Sequence, residues 1–272
     1  MRRLLAPIVI AFHVVRRFNA ERLAQTAAAL SFATLLGLVP MFAVGIGLLS
    51  HLPFAEGMNA ALEKFLLANL LPEKAGAVIA KYVGQFAHRA TRVTAVGLAA
   101  LLLTAIMQML TIEHAFNAIW NIKVKRPWIR RLTMHVIALV LGPLVFGGSL
   151  AAISFIAGIS FGLVDEPSWV SAAFFRGLSF VFTAGLFALL YWGVPNKVVP
   201  RWHAVAGGVF AALGFMAMQR LFGDYVANFP AYAVVYGPFA AVPIFLAWLY
   251  LSWTIILVGA LLVAELPGAL RR

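Results

Sequence analysis

Long apolar runs dominate this chain, and their lengths set the first expectation. About 20 apolar residues cross a hydrocarbon core as a helix. Six segments reach that length: residues 26–50, 93–112, 133–164, 168–194, 203–222 and 237–263. The third would extend about 48 Å at 1.5 Å per residue. It is expected to tilt, to bend at Gly142–Pro143, or to project from the bilayer. Gly37 and Pro40 are expected to kink the first. No run shows the alternating segments of about ten residues that mark a β-barrel. The predicted fold class is all-α, with residues 1–272 forming a single membrane domain, a polytopic helix bundle of about six transmembrane helices.

Two shorter patterns are amphipathic instead. Residues 1–22 hold an apolar stretch of about a dozen residues, too short to span. Arg16 and Arg17 follow that stretch where a cleavable signal would carry small residues. On a helical wheel Arg2, Arg3, His13, Arg16 and Arg17 fall within an arc of roughly 140°. The expectation is an N-terminal interfacial helix whose basic face lies on the anionic cytoplasmic leaflet. In residues 52–91, Met58, Ala61, Leu62, Phe65 and Leu66 oppose Asn59, Glu63 and Lys64. After Pro72, residues Ala75, Val78, Ile79, Tyr82, Val83 and Phe86 oppose Lys74, Lys81, Gln85 and Arg89. Two amphipathic helices in the first outer loop fit both sets. They either cover the bundle, cap a cavity, or pack on a partner.

Composition sharpens the class. The chain is 63% hydrophobic and only 11% charged, with a mean hydropathy of +0.95. That leaves too little charge to clothe a soluble fold, for which about 25% is usual. The net charge of +12 would suggest nucleic acid in a soluble protein, but its distribution gives another reading. Most of the 21 Lys and Arg fall in the N-terminal segment, after the second span (Lys123, Lys125, Arg126, Arg130, Arg131), after the fourth (Lys197, Arg201), and at Arg271–Arg272. The short opposite loops carry Asp165, Glu166 and Asp224. Basic residues collect in cytoplasmic loops, so both termini are expected on the cytoplasmic side, with no nucleic-acid partner. There are no cysteines, which excludes disulfides and thiolate sites. The histidines form no metal-ligand spacing and no Walker-type phosphate loop is present. Neither catalytic residues nor a cofactor or metal is expected, and the chain does not read as an enzyme.

Candidate chemistry therefore rests on polar groups at membrane depth, where each charge is costly. Arg176 lies about 12 Å inside the outer end of the fourth span, and Gln219 and Arg220 close the fifth on the same side. Two arginines there would hold a phosphate or other anionic headgroup through forked hydrogen bonds. Alternatively Arg220 snorkels to the interface, and Arg176 pairs with Asp165, Glu166 or Asp224. At the inner end of the second span, Glu113, Asn117 and Trp120 share a face, with Gln108 and Thr104 above them. Glu113 is either a proton or ligand site, or it pairs with Arg130 or Arg131. Trp120 and Trp128 read as interface residues. Small residues line the third span (Gly147, Ala151, Ser154, Gly158, Gly162) and the fifth (Ala204, Gly207, Ala211, Gly214). Such stripes let backbones approach closely, as helix packing or as a flexible seam.

Four blocks in order carry a further signal: TAAALSFATLLGLVPMF, IEHAFNAIWNIKVKRP, VPNKVVPRWHAVAGG and NFPAYAVVYGPFAAVPIFLAWLYLSWTIILVGA. Together they resemble the YihY/virulence-factor-BrkB family of bacterial inner-membrane proteins, members of which once bore the name ribonuclease BN. The resemblance covers nearly the whole chain. The matching residues are Pro40, Glu113, Asn117, Trp120, Arg176, Pro195, Pro200, Phe229, Pro230, Tyr236, Gly237, Pro243 and Gly259. One place departs: the family's GAE in the last span is GAL here, with Leu261 at the glutamate position and Glu265 one turn on. The resemblance implies a cell inner-membrane location, about six spans, and a link to envelope lipids. The leading expectation is a transporter or flippase-like protein for an anionic lipid or amphiphile. The alternative is a non-transporting scaffold, a homo-oligomer or an accessory subunit bound to an envelope protein. A ribonuclease would need a catalytic cluster that the sequence lacks.

Overall fold

The computed structural model describes residues 2–49, 95–123, 127, 129, 133, 168–228 and 241–270. The expected third span, the amphipathic pair within 52–91, and residues 229–240 lie outside the described residues, as do Asp165, Glu166, Trp128, Arg130 and Arg131. Among the described residues there are six helices and no strand: α1 (Arg2–Ala20), α2 (Leu23–Leu49), α3 (Ala95–Ile119), α4 (Ser168–Gly193), α5 (Arg201–Asn228) and α6 (Ala241–Leu270). Three stretches, Arg176–Gly193, Arg201–Val226 and Val242–Leu266, are long and apolar enough to cross a membrane.

The helix ends follow from local chemistry. Asn121 adopts a left-handed φ of 52°. The Ile122 N–H then reaches the Asn117 carbonyl and the Asn121 N–H the Ala118 carbonyl, both at 2.9 Å, which is the paired pattern of a Schellman cap. Arg22, with φ 51°, makes the tight turn from α1 into α2. Pro195 restricts the residue before it and stops α4. The Pro200 carbonyl accepts the first N–H groups of α5, from His203 at 3.0 Å and Ala204 at 3.1 Å. α2 runs on as one helix through Pro40, which costs one helical hydrogen bond, that of the Leu36 carbonyl.

α6 is the central element and touches each of the other five helices. The α4–α5 hairpin packs on one side of it, α2 and α3 on the other, and α1 lies against α6 and α2. The small stripe of α5 is a packing seam: Ala204, Gly207 and Ala211 are buried. A methyl group on Gly207 would run into Val263, and one on Gly214 would stand 3.2 Å from Ile255. Above that seam, Phe187, Phe215, Trp248 and Phe222 form an aromatic chain with successive centroids 5.9, 5.7 and 5.3 Å apart. Tyr191 is fully buried, and its hydroxyl donates to the Ile256 carbonyl at 3.0 Å.

Candidate functional site

The polar residues of the bundle fall into three places. The first is the end of the bundle where α1, α3 and α6 meet at Arg17. Its guanidinium contacts Glu265 at 2.7 Å, Glu21 at 2.6 Å, and the Ile119 carbonyl at the end of α3 at 2.7 Å. Partial burial alone would lower the pKa of Arg17. The hydrogen bonds to Glu265 and Glu21 and the charges of both carboxylates outweigh that and raise it, so the group stays a cation. A cation at the last carbonyls of α3 also complements the helix dipole. This corrects the expectation that the whole basic arc of α1 faces lipid. Arg16 is exposed, but Arg17 turns inward beside buried Val14 and half-buried Phe18. Glu265 is thus committed to a structural pair, and Leu261 is fully buried in the apolar core.

In the same region Glu113 is only 3% exposed. The Asn117 side-chain Nδ2 donates to it at 3.3 Å, and the Asn117 side-chain Oδ1 accepts the backbone N–H of Asn196 at 2.8 Å. Asn117 therefore ties α3 to the α4–α5 turn. Trp120 is half-buried and stacks on Phe116 at 6.3 Å, which in turn meets Tyr191 at 6.2 Å. It packs against the core as much as it faces the interface. Sequence reasoning missed the Arg17–Glu265 pair. The signals were present in Glu21, four residues after Arg17, and in the lone acid of α6, but nothing in the sequence joins residues 248 positions apart.

The second place is the middle of α2, α3 and α6. Gln108 is 7% exposed, and its carboxamide packs on Gly37, where an added methyl would meet its Cδ at 2.7 Å. The Gln108 Nε2 has no hydrogen-bond partner among the described residues. One turn from Gly37, Thr34 accepts the Trp253 indole N–H at 2.9 Å. Gln108 and Glu113 are five residues apart, about 140° around the helix at 100° per residue. They sit at opposite margins of the buried face of α3 and do not form one ligand stripe.

The third place is the far end of the α4–α5 hairpin. Gly208 packs on the backbone of α4 between Ala184 and Ala188; Arg176 lies about 12–18 Å along α4 from that contact and Arg220 about 18 Å along α5, toward the same end of the hairpin. Arg176 continues the packed stripe of α4 that holds Phe180, Thr183, Phe187 and Tyr191, yet it is exposed. Arg220 is also exposed and lies on the outward face of α5 with Trp202, Val205, Val209, Leu213 and Met216, as a snorkelling arginine would. Trp202 and Arg220 bracket that apolar face across about 27 Å of helix, close to the thickness of a hydrocarbon core of about 30 Å. The outward position suits an arginine at the bilayer boundary. Gln219, beside it, is half-buried. Neither arginine forms an ion pair with a described residue.

Among the described residues the bundle is apolar and its charges gather toward two ends, as in a membrane protein, and comparison with known sequences gives its family. The family model described as virulence factor BrkB matches residues 14–271. A UPF0761 membrane protein of Aromatoleum aromaticum is 47% identical over 94% of this chain and 63% of its own length. One from an Azoarcus species is 46% identical over the same shares, 94% and 63%. One from Pseudomonas aeruginosa is 40% identical over 94% of the chain and 62% of its own length. The chain belongs to the BrkB family, and it spans a little under two-thirds of the length of these curated relatives. No solved structure matches it.

Proposed function

We propose that this chain is a multi-pass protein of the bacterial inner membrane, with about six spans and both termini cytoplasmic, that moves an anionic lipid or amphiphile. The observation that carries this reading is Arg176. It stands on the stripe of α4 that packs deeper in the bundle, yet it is exposed, toward the same end of the hairpin as Arg220. A cation so placed can draw a headgroup from the outer boundary toward the α4–α5–α6 side of the bundle, because a guanidinium binds phosphate oxygens in pairs. Arg220, turned outward, would hold the hairpin at headgroup depth. No cofactor, metal or catalytic residue enters the reading.

Purified protein in vesicles is then expected to accelerate exchange of a fluorescent anionic phospholipid between leaflets. Equal rates with and without protein, across several anionic headgroups, would remove the reading. A scaffold role is the alternative and is favoured by one observation. The inner half is closely packed, with Glu113 buried and bonded through Asn117 to the α4–α5 turn. Reproducible crosslinks to a second copy or to another envelope protein, without lipid exchange, would support it.

A further inference from the structure

We propose that the α4–α5 turn is a binding surface for anionic membrane lipids, seated among the headgroups of the inner leaflet. The inner placement rests on the topology proposed above. The lipid preference rests on the turn itself.

Residues 194–200 join two helices that are each long and apolar enough to cross a membrane, so the turn stands at a bilayer boundary. A turn that faced bulk water there would present polar side chains. Instead Val198 is 93% exposed and Trp202 82% exposed, with Trp192 about half exposed at 47%. Large apolar side chains left open in this way mark an interaction surface. The turn is also rigidly presented. Pro195 and Val199 are buried in the protein, and Asn117 holds the backbone N–H of Asn196. With Pro195 and Val199 plugged inward on either side, the turn projects Lys197 and Val198 outward.

The exposed charge on the hairpin itself is of one sign, the nearest carboxylate, Glu113 of α3, being buried behind Asn117. Lys197 and Arg201 are both exposed, and no Asp or Glu occurs between Glu166 and Asp224. The Arg201 guanidinium sits 5.9 Å from the centre of the Trp192 ring, a cation–π distance that fixes the cation at the level of the indole. Tryptophan rings lie at headgroup depth, so Arg201 is held where lipid phosphates are. Continuity selects lipid over a protein partner. Trp202 begins the outward apolar face of α5 that runs on through Val205, Val209 and Leu213, so the turn extends a lipid-facing surface to its boundary.

The chain contains no cysteine, which makes Val198→Cys a unique labelling site on a side chain that packs against little. The full chain carrying a polarity-sensitive fluorophore there would be placed in nanodiscs of phosphatidylcholine, with and without phosphatidylglycerol. Headgroup-nitroxide forms of each lipid serve as quenchers. The expected result is blue-shifted emission, quenched more strongly by the phosphatidylglycerol nitroxide. Lys197→Gln and Arg201→Gln should each lower that preference by about five-fold, since a basic residue near an anionic surface contributes about one RT ln 5. A label that stays in water overturns the proposal. So does quenching equal for both lipids and unchanged in Lys197→Gln/Arg201→Gln, or a label shielded in every lipid by a bound protein. Labelling of Val198→Cys by a membrane-impermeant maleimide, applied from each side of oriented vesicles, tests the inner placement separately from the lipid preference.

Discussion

At Gly208 a single methyl group should do damage out of proportion to its size. A Cβ at this position would stand 2.5 Å from the Ala184 carbonyl oxygen and 2.8 Å from the Ala188 nitrogen. Both obstacles are backbone of α4, so no side chain can swing aside, and the two helices must separate. Overpacking of this kind costs about 1–3 kcal/mol. Against that, glycine in a helix interior is worse than alanine by about 0.5–1 kcal/mol. The net expectation for Gly208→Ala is a loss of about 1–2 kcal/mol, or roughly 2–6 °C in the midpoint of a thermal melt for a chain of this size. Gly185 provides the matched control on α4. A methyl group there would meet nothing within 4 Å, so Gly185→Ala should be neutral or slightly stabilising. Thermal melts of the three proteins in one detergent, repeated by titration with a denaturing detergent, make the comparison. Equal stability of Gly208→Ala and Gly185→Ala would refute the packing argument for the α4–α5 seam.

Other expectations rest on separate contacts. Arg17→Ala leaves Glu265, Glu21 and the Ile119 carbonyl without their shared cation; at partial exposure a loss of about 1–2 kcal/mol is expected. Amide exchange in α1 should quicken, and Arg17→Glu/Glu265→Arg should recover part of the loss relative to Arg17→Glu; no recovery would mean the pair is incidental. Tyr191→Phe should cost about 1 kcal/mol through the hydroxyl bond to Ile256. Gly259→Ala crowds that same hydroxyl, so it should be less harmful in the Tyr191→Phe background, and an additive double-mutant cycle would contradict the contact. Asn117→Asp places a second carboxylate beside Glu113 and should destabilise more than Asn117→Ala, which a melt of the two variants decides.

Helix positions were legible because bilayer thickness dictates the length of an apolar run. The expected span at 168–194 is α4 (Ser168–Gly193), and the expected interfacial segment at 1–22 contains α1 (Arg2–Ala20). Which face of a span is buried was not legible from hydrophobicity, because lipid is as apolar as the bundle interior. On α5, Phe215, Met218 and Phe222 are buried while Leu213, Met216 and Leu221 are exposed. The small residues did mark the packed face, since only they allow the backbone contacts at Gly207 and Gly208. Polar partnerships were the least legible. Arg17 with Glu265, Asn117 with Asn196, and Gln108 against Gly37 each depend on the register between helices distant in sequence. That register is set by close packing and not by any local pattern. For Arg220 the place at the end of a span was plain, and the outward, snorkelling position was one of its two readings.

The central claim is that Arg176 serves an anionic headgroup while Arg220 holds the boundary. Leaflet exchange of fluorescent phosphatidylglycerol in vesicles containing the intact chain, Arg176→Ala or Arg220→Ala tests it most directly. Losing one forked hydrogen-bonded contact to a charged group, about 1.5–3 kcal/mol, should slow Arg176→Ala by roughly ten-fold or more, with Arg220→Ala close to the intact chain. Exchange no faster than in protein-free vesicles, or equal slowing by both substitutions, would contradict the account.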